Sequence, residues 1–176
     1  MNGKAKEAGV LRGGAWVFGD DVNTDVIFPG RYLHLLEPAE MAKHAMEDAA
    51  PSFREGMKRG DIVVAGRNFG CGSSREQAAT CLKAMGVGAV VASSFARLYY
   101  RNAINLGLPI IVCPGAAGGT SKGDEVEVDL RGGLVRNLTK GTEFKGQPLP
   151  DFMLEILESG GLVPHLQKRL GLAKQA

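Results

Sequence analysis

The strongest pattern along the chain is an alternation of short apolar runs with amphipathic stretches. Residues 61–66, "DIVVAG", are a continuous apolar run of strand length; residues 74–86, "SREQAATCLKAMG", follow with helical spacing and a closing Gly86. Residues 88–94, "GAVVASS", and 108–114, "LPIIVCP", repeat the strand pattern around a second helical stretch at 95–107, "FARLYYRNAINLG". Strand, helix, strand, helix, strand at this spacing predicts parallel pairing through right-handed crossovers. Strands so uniformly apolar predict cover on both faces.

The flanks are less regular. Residues 15–18 read as a short strand, 20–25 ("DDVNTD") as a polar turn, and 26–33 ("VIFPGRYL") as a second extended piece broken by Pro29. A helix is expected from Pro38, with Met41, Ala45 and Met46 near one face and Pro51 as its end; residues 52–58 add a short helical turn. Residues 115–125 read as a flexible surface loop, and 125–130, "EVEVDL", alternate as a half-exposed strand. The turn "RGG" leads into "LVRNL" (134–138) to complete a hairpin. Residues 151–158 and 162–170 read as helices separated by Gly160 and Gly161. With no internal repeat and no long linker, residues 1–176 read as one α/β domain with an antiparallel annex.

Composition narrows the function classes. The 176 residues carry 21 basic and 19 acidic side chains, a net charge of +2, so no strong field favours nucleic acid or an acidic membrane. No apolar run approaches the ~20 residues that span a bilayer. The opening segment lacks the apolar centre of a signal peptide and contains Glu7, and three cysteines do not suit a disulfide framework. A cytoplasmic location is expected.

The stretch "NFGCGSSREQ" at 68–77 concentrates the candidate chemistry. It joins a buried strand to a helix start, where unpaired N–H groups and the helix dipole suit an anion. A dinucleotide fingerprint fails because Arg75 stands where the third glycine belongs; a P-loop fails for want of a Gly-Lys pair. A nucleophile elbow fails because Arg75 also lies two positions after Ser73. Upstream, "DVNTDV" is not a calcium loop, since Val26 and Tyr32 occupy the glycine and glutamate positions. Ser73 with Glu76, and Ser74 with Gln77, both fit a capping box, but one helix start needs only one cap. Arg75 in a first turn is disfavoured by the dipole unless an anion offsets it. The pattern predicts a carboxylate site with a hydroxyl beside it.

"GDDVNTDVIFPGRYL", "NFGCGSSREQA" and "SFARLYYRNAINLGLP", with "GDEVEVDL", "VRNLT" and "FMLEILESGGLV" downstream, resemble the small-subunit family of 3-isopropylmalate dehydratase, the aconitase-like isomerase of leucine biosynthesis. The match covers nearly the whole chain. The resemblance implies a swivelling β/β/α three-layer domain with a mainly parallel central sheet. It implies a partner large subunit bearing a [4Fe–4S] cluster, no cofactor on this chain, and a small dicarboxylate 2-hydroxy acid as substrate. By the same resemblance Ser73 is the base that takes the substrate proton, and Asp25 approaches the reacting centre. Ser74 and Arg75, with Gly72 of the loop, hold the substrate carboxylate. Arg31, Tyr32, Leu33, His34 and Leu35 read its variable group. A serine anion needs stabilisation at neutral pH, which a helix N-terminus, loop N–H groups and Arg75 would supply.

Cys81 on an apolar helix face and Cys113 at a strand end read as core residues, and Cys71 as a packing residue of the active loop. His44 and His165 lack metal-ligand spacing and read as surface residues; Arg97, Arg101 and Asn102 read as contacts to the annex or a partner. No metal site is expected on this chain. His34 stands where relatives acting on an extra carboxylate tend to carry a basic residue, while Leu33 and Leu35 favour a branched alkyl group. Two alternatives stay open: a paralogous subunit acting on homoaconitate, citramalate or a dimethylmalate, and a non-catalytic carboxylate-binding module.

Overall fold

The computed structural model describes residues 9–172. The reading of the opening segment, Glu7 included, lies outside the described residues except at its end. Among the described residues there are seven strands: β1 (Val10–Val17), β2 (Ile62–Ala65), β3 (Ala89–Ala92), β4 (Ile110–Val112), β5 (Glu125–Asp129), β6 (Leu134–Asn137) and β7 (Thr142–Lys145). They form one sheet in the order β4-β3-β2-β1-β5-β6-β7. The ladders β1–β2, β2–β3 and β3–β4 are parallel; β1–β5, β5–β6 and β6–β7 are antiparallel. The molecule is an α/β protein whose annex continues the parallel half through β1.

Why the halves differ is visible in burial. Every residue of β2 and β3 is buried, as continuous apolar runs demand when both faces are covered. In β5, Val126 and Val128 are buried while Glu125 is exposed, so one face meets water. The helices α4 (Gln77–Met85) and α5 (Arg97–Leu106) make the parallel crossovers and end at Gly86 and Gly107, as expected. In a row, α5 packs against α4, α7 (Asp151–Glu158) packs against α5, and α8 (Leu162–Arg169) contacts both α5 and α7. Lys83 of α4 reaches across to the carbonyls of Leu106 and, at 2.8 Å, Gly160, so one ammonium serves two chain ends. No helix among the described residues is long and apolar enough to cross a membrane.

Several expectations need correction. The first strand runs from Val10 because residues 10–14 pair with β5 while 15–17 pair with β2. Residues 26–33 are not extended. They lie in a helical turn, α1 (Thr24–Ile27), and a 3₁₀ turn, Gly30–Tyr32, on either side of Pro29. The Asn23 side chain starts α1 by accepting from the Val26 amide at 2.9 Å. The helix expected over 38–51 is only α2 (Pro38–Ala42), followed by turns. Met46 sits at φ +56°, its side chain buried and its amide donating to the Ile27 carbonyl at 2.9 Å. A second short helix, α3 (Pro51–Gly56), follows. The loop at 115–125 includes the helical turn α6 (Ala116–Gly119), and Asp124 there is buried, accepting from Asn137 at 2.7 Å and the Ser121 amide at 2.8 Å. β7 has no counterpart in the pattern reading, since "TEFK" does not alternate in burial.

The chain beyond β7 turns back to the opposite edge of the sheet. The Gln147 amide donates to the Val112 carbonyl of β4 at 2.8 Å, and a Cβ at Gly146 would lie 3.1 Å from Cys113 Cβ. The sheet therefore curls until its two outer strands are linked.

Candidate active site

The glycine loop leaves the carboxyl end of β2 and runs beside residues 20–24. The Arg67 amide and guanidinium both donate to Asp20, at 2.7 Å from the amide and 2.8 Å from Nη2. These bonds, the amide's first, hold the Asp20 carboxyl below the usual carboxylate range. Gly70 N–H donates to the Val22 carbonyl and Thr24 N–H to the Cys71 carbonyl, both at 2.8 Å. On the other flank, Asn68 N–H donates to Ser94 Oγ at 2.9 Å and Phe69 N–H to the Ser94 carbonyl at 3.0 Å. Gly70 lies flat on the buried Tyr99 ring with φ +78°; a Cβ there would stand 2.1 Å from Tyr99 Cγ. Only glycine fits, by space and by conformation.

This loop delivers Ser73 to Thr24. The two hydroxyl oxygens are 3.1 Å apart, and the Ser73 amide donates to Thr24 Oγ1 at 3.2 Å. Thr24 is 1% exposed, whereas Ser73 is exposed. Thr24 Oγ1 accepts that N–H with one of its two lone pairs, and its O–H is available to donate to Ser73 Oγ when Ser73 is the acceptor. The capping boxes do not form. α4 begins at Gln77, and its cap residue Glu76 makes no side-chain cap bond. Ser73 is drawn to Thr24 instead, and the Ser74 carbonyl accepts from Asn102 Nδ2 at 3.4 Å. Both serine side chains are exposed, on the approach to a helix N-terminus.

Arg75 points at Asp25, and the two side chains form an ion pair. The Arg75 side chain is 22% exposed and that of Asp25 is 61% exposed. Gly72, exposed at φ +96°, lies beside Thr24. The 3₁₀ turn abuts the same guanidinium: a Cβ at Gly30 would lie 3.4 Å from Arg75 Nη2. Ser73, Thr24, Asp25, Arg75 and the start of the turn thus share one neighbourhood.

The remaining predicted residues follow along the turn. Arg31 donates to both oxygens of Asp48, at 2.7 and 2.8 Å, and to Glu47 at 2.9 Å. Tyr32 stacks on His44 with ring centroids 3.6 Å apart. His34 Nδ1 is 3.1 Å from the Arg31 carbonyl on an exposed ring. Leu33 and Leu36 are exposed and Leu35 is half-buried. His44 is half-buried and not a plain surface residue. Thr24, His44 and Glu47 are the residues pattern reading missed. Thr24 stood next to Asp25 in the motif, but its pairing with Ser73 crosses 49 positions and leaves no local signal.

An iron–sulfur cluster would need cysteine thiolates. Cys81 and Cys113 are fully buried; burial pushes the Cys113 thiol up to about 11 and the Cys81 thiol higher still. Cys71 is half-buried in the loop. Among the described residues no three His, Cys, Asp or Glu side chains are grouped to hold a metal ion. This donor set does not fit a cluster.

The aconitase C-terminal domain family matches residues 23–114, from the cap of α1 to the end of β4. The small subunit 1 of 3-isopropylmalate dehydratase from Methanopyrus kandleri is 60% identical over 162 residues, 92% of this chain and 95% of that one. A methanogen homoaconitase small subunit from Methanothermobacter thermautotrophicus is 56% identical, covering 92% and 94%. A crystal structure of 3-isopropylmalate dehydratase from Methanocaldococcus jannaschii superposes with a TM-score of 0.87 at 45% identity, covering 93% of this chain and 96% of that one. The glycine loop, the hydroxyl pair and the Arg75 neighbourhood all fall within the matched segment, and this chain belongs to the 3-isopropylmalate dehydratase small-subunit family of aconitase-like hydro-lyases.

Proposed function

We propose that this chain interconverts 2-isopropylmalate and 3-isopropylmalate by dehydration and rehydration, together with a large subunit, in leucine biosynthesis. The observation that carries the reading is the exposed Ser73 hydroxyl held 3.1 Å from a buried threonine hydroxyl, beside the Arg75 guanidinium. A [4Fe–4S] cluster on the large subunit would supply the Lewis acid for the departing hydroxide.

This chain's part is proton transfer and grip. Ser73 Oγ, as its anion, takes the proton from the substrate carbon next to the one losing hydroxide; on rehydration it gives a proton to the carbon that lost hydroxide, while hydroxide adds to the carbon that lost the proton. Thr24 O–H, the helix N-terminus and Arg75 favour that anion. Arg75 exchanges Asp25 for a substrate carboxylate, which its planar fork binds in two-point fashion, and the exposed Ser74 and Gly72 line the same approach. The segment 31–35 reads the side group: Leu33 and Leu35 favour isopropyl, and the ionisable His34 keeps homoaconitate-type substrates as the second reading.

The test is anaerobic reconstitution with the cognate large subunit, followed by a panel of malate derivatives. Turnover of 2-isopropylmalate by the complex and none by this chain alone is expected. A complex active only on homoaconitate or citramalate would replace the reading with its paralogue. An active chain without partner would overturn the shared site.

A further inference from the structure

Outside the glycine loop, a polar cluster surrounds a single carboxylate, Glu47. Its Oε1 accepts from Arg31 Nη2 and from Tyr32 O–H, both at 2.9 Å. Its Oε2 lies 2.6 Å from His44 Nδ1 and 3.9 Å from the Arg54 guanidinium. Arg31 also donates to both oxygens of Asp48. The Tyr32 ring is sandwiched in the same cluster, stacked on His44 at an interplanar angle of 17° with the Arg31 guanidinium 4.8 Å from its centroid.

The backbone beneath is also committed. Met46 N–H reaches the Ile27 carbonyl at 2.9 Å, tying the segment that carries His44 and Glu47 to the end of α1. Tyr32 N–H, Leu33 N–H and Leu35 N–H bond only within the turn, to Pro29, Gly30 and Tyr32. The turn's own backbone therefore gives it shape but no fixed position. Its position comes from packing of Tyr32 and Leu35 on the core and from the side chains of Arg31 and Tyr32, both of which reach Glu47.

We infer that Glu47 and His44 are positioning residues, which set where the segment 31–35 stands over Arg75 and thereby how the site discriminates between substrate side groups. Arg31 in this arrangement anchors the turn through its bonds to Glu47 and Asp48. The inference rests on the reading of that segment as facing substrate. The bonds from His44, Arg31 and Tyr32, in that order, hold the Glu47 carboxyl down to about 2, consistent with an ionised hub. A half-exposed pair contributes little to stability, but a carboxylate shared among several donors holds geometry. Positioning, not stability, is the expected role.

Glu47→Ala, Glu47→Gln and His44→Phe would be compared with the wild type in the complex with the large subunit. Glu47→Ala should speed amide exchange at residues 32–35 about tenfold while leaving β2 unchanged. KM for 2-isopropylmalate should rise about tenfold with kcat nearly kept, and its preference over homoaconitate should shrink. Glu47→Gln, which retains an acceptor, should recover most of the KM, and His44→Phe, which retains the stacked ring, should fall between. Unchanged exchange at 32–35 in Glu47→Ala would overturn the anchoring. Faster exchange with both KM values and their ratio unchanged would overturn the link to discrimination. A wild-type complex inactive on both substrates would count against the proposed function, while the exchange data would still decide the anchoring.

Discussion

Two short segments meet the Arg75 guanidinium, and different physics holds each of them. The glycine loop is fixed by backbone bonds to Val22, Thr24 and Ser94 and by the buried Tyr99 ring. The turn at Gly30–Tyr32 is fixed by half-exposed side chains gathered on Glu47 and Asp48. The first arrangement tolerates almost no change, because its backbone bonds tie the loop to distant parts of the chain and each neighbour is packed. The second can be altered residue by residue without disturbing the core. A base that removes a proton from carbon must stand within a fraction of an ångström, whereas a pocket wall that sorts alkyl from carboxylate groups benefits from being adjustable.

The sharpest way to separate the segments is to remove the proposed base. Ser73→Ala should lower kcat of the reconstituted complex by ~10²–10⁴-fold. Because Ser73 does not cap α4, the melting curve should shift by no more than ~0.5 kcal/mol of stability. Normal turnover in an assembled variant would reject Ser73 as base. Next comes the support: Gly70→Ala places a methyl on Tyr99 and forces an unfavourable φ, so urea unfolding should show a loss of about 3 kcal/mol.

Thr24→Val keeps the shape and removes the O–H, and should cost about 10²-fold in kcat with KM little changed. Thr24→Ser should restore most of it, and equal losses in both variants would mean that Thr24 only packs. Smallest, and confined to the turn, is His34→Arg. A permanent charge there should move the kcat/KM ratio about tenfold towards homoaconitate-type substrates over isopropylmalate. A ratio that stays put would assign the reading of the side group elsewhere.

The same contrast governs what could be read from the sequence. β2, β3 and β4 with α4 and α5 were legible because both faces of the strands are buried, so the residues spell the elements without ambiguity. The α7 and α8 boundaries were equally plain from Gly160 and Gly161. "VIFPGRYL" misled because branched and aromatic residues favour strands, whereas one cap from Asn23 and the kink at Pro29 decide the local structure. The serines misled in another way: their spacing fits a capping box, but a threonine 49 positions upstream claims Ser73. Loop, arginine and serine could be found as a motif. Thr24, His44 and Glu47 could not, since each acts through a partner that the fold supplies.

The bond between Gln147 and Val112 has a consequence beyond geometry. An open sheet offers two unpaired rims to any extended chain, its own copies included, and such rims seed aggregation. Here the chain occupies one of its own rims with a residue emerging from the other. β4 is only three residues long, and its last carbonyl is already taken. The opposite strand, "TEFK", is short and carries charge at two of its four positions. A subunit that must wait for a partner in a crowded cell is thereby protected from strand addition while it waits.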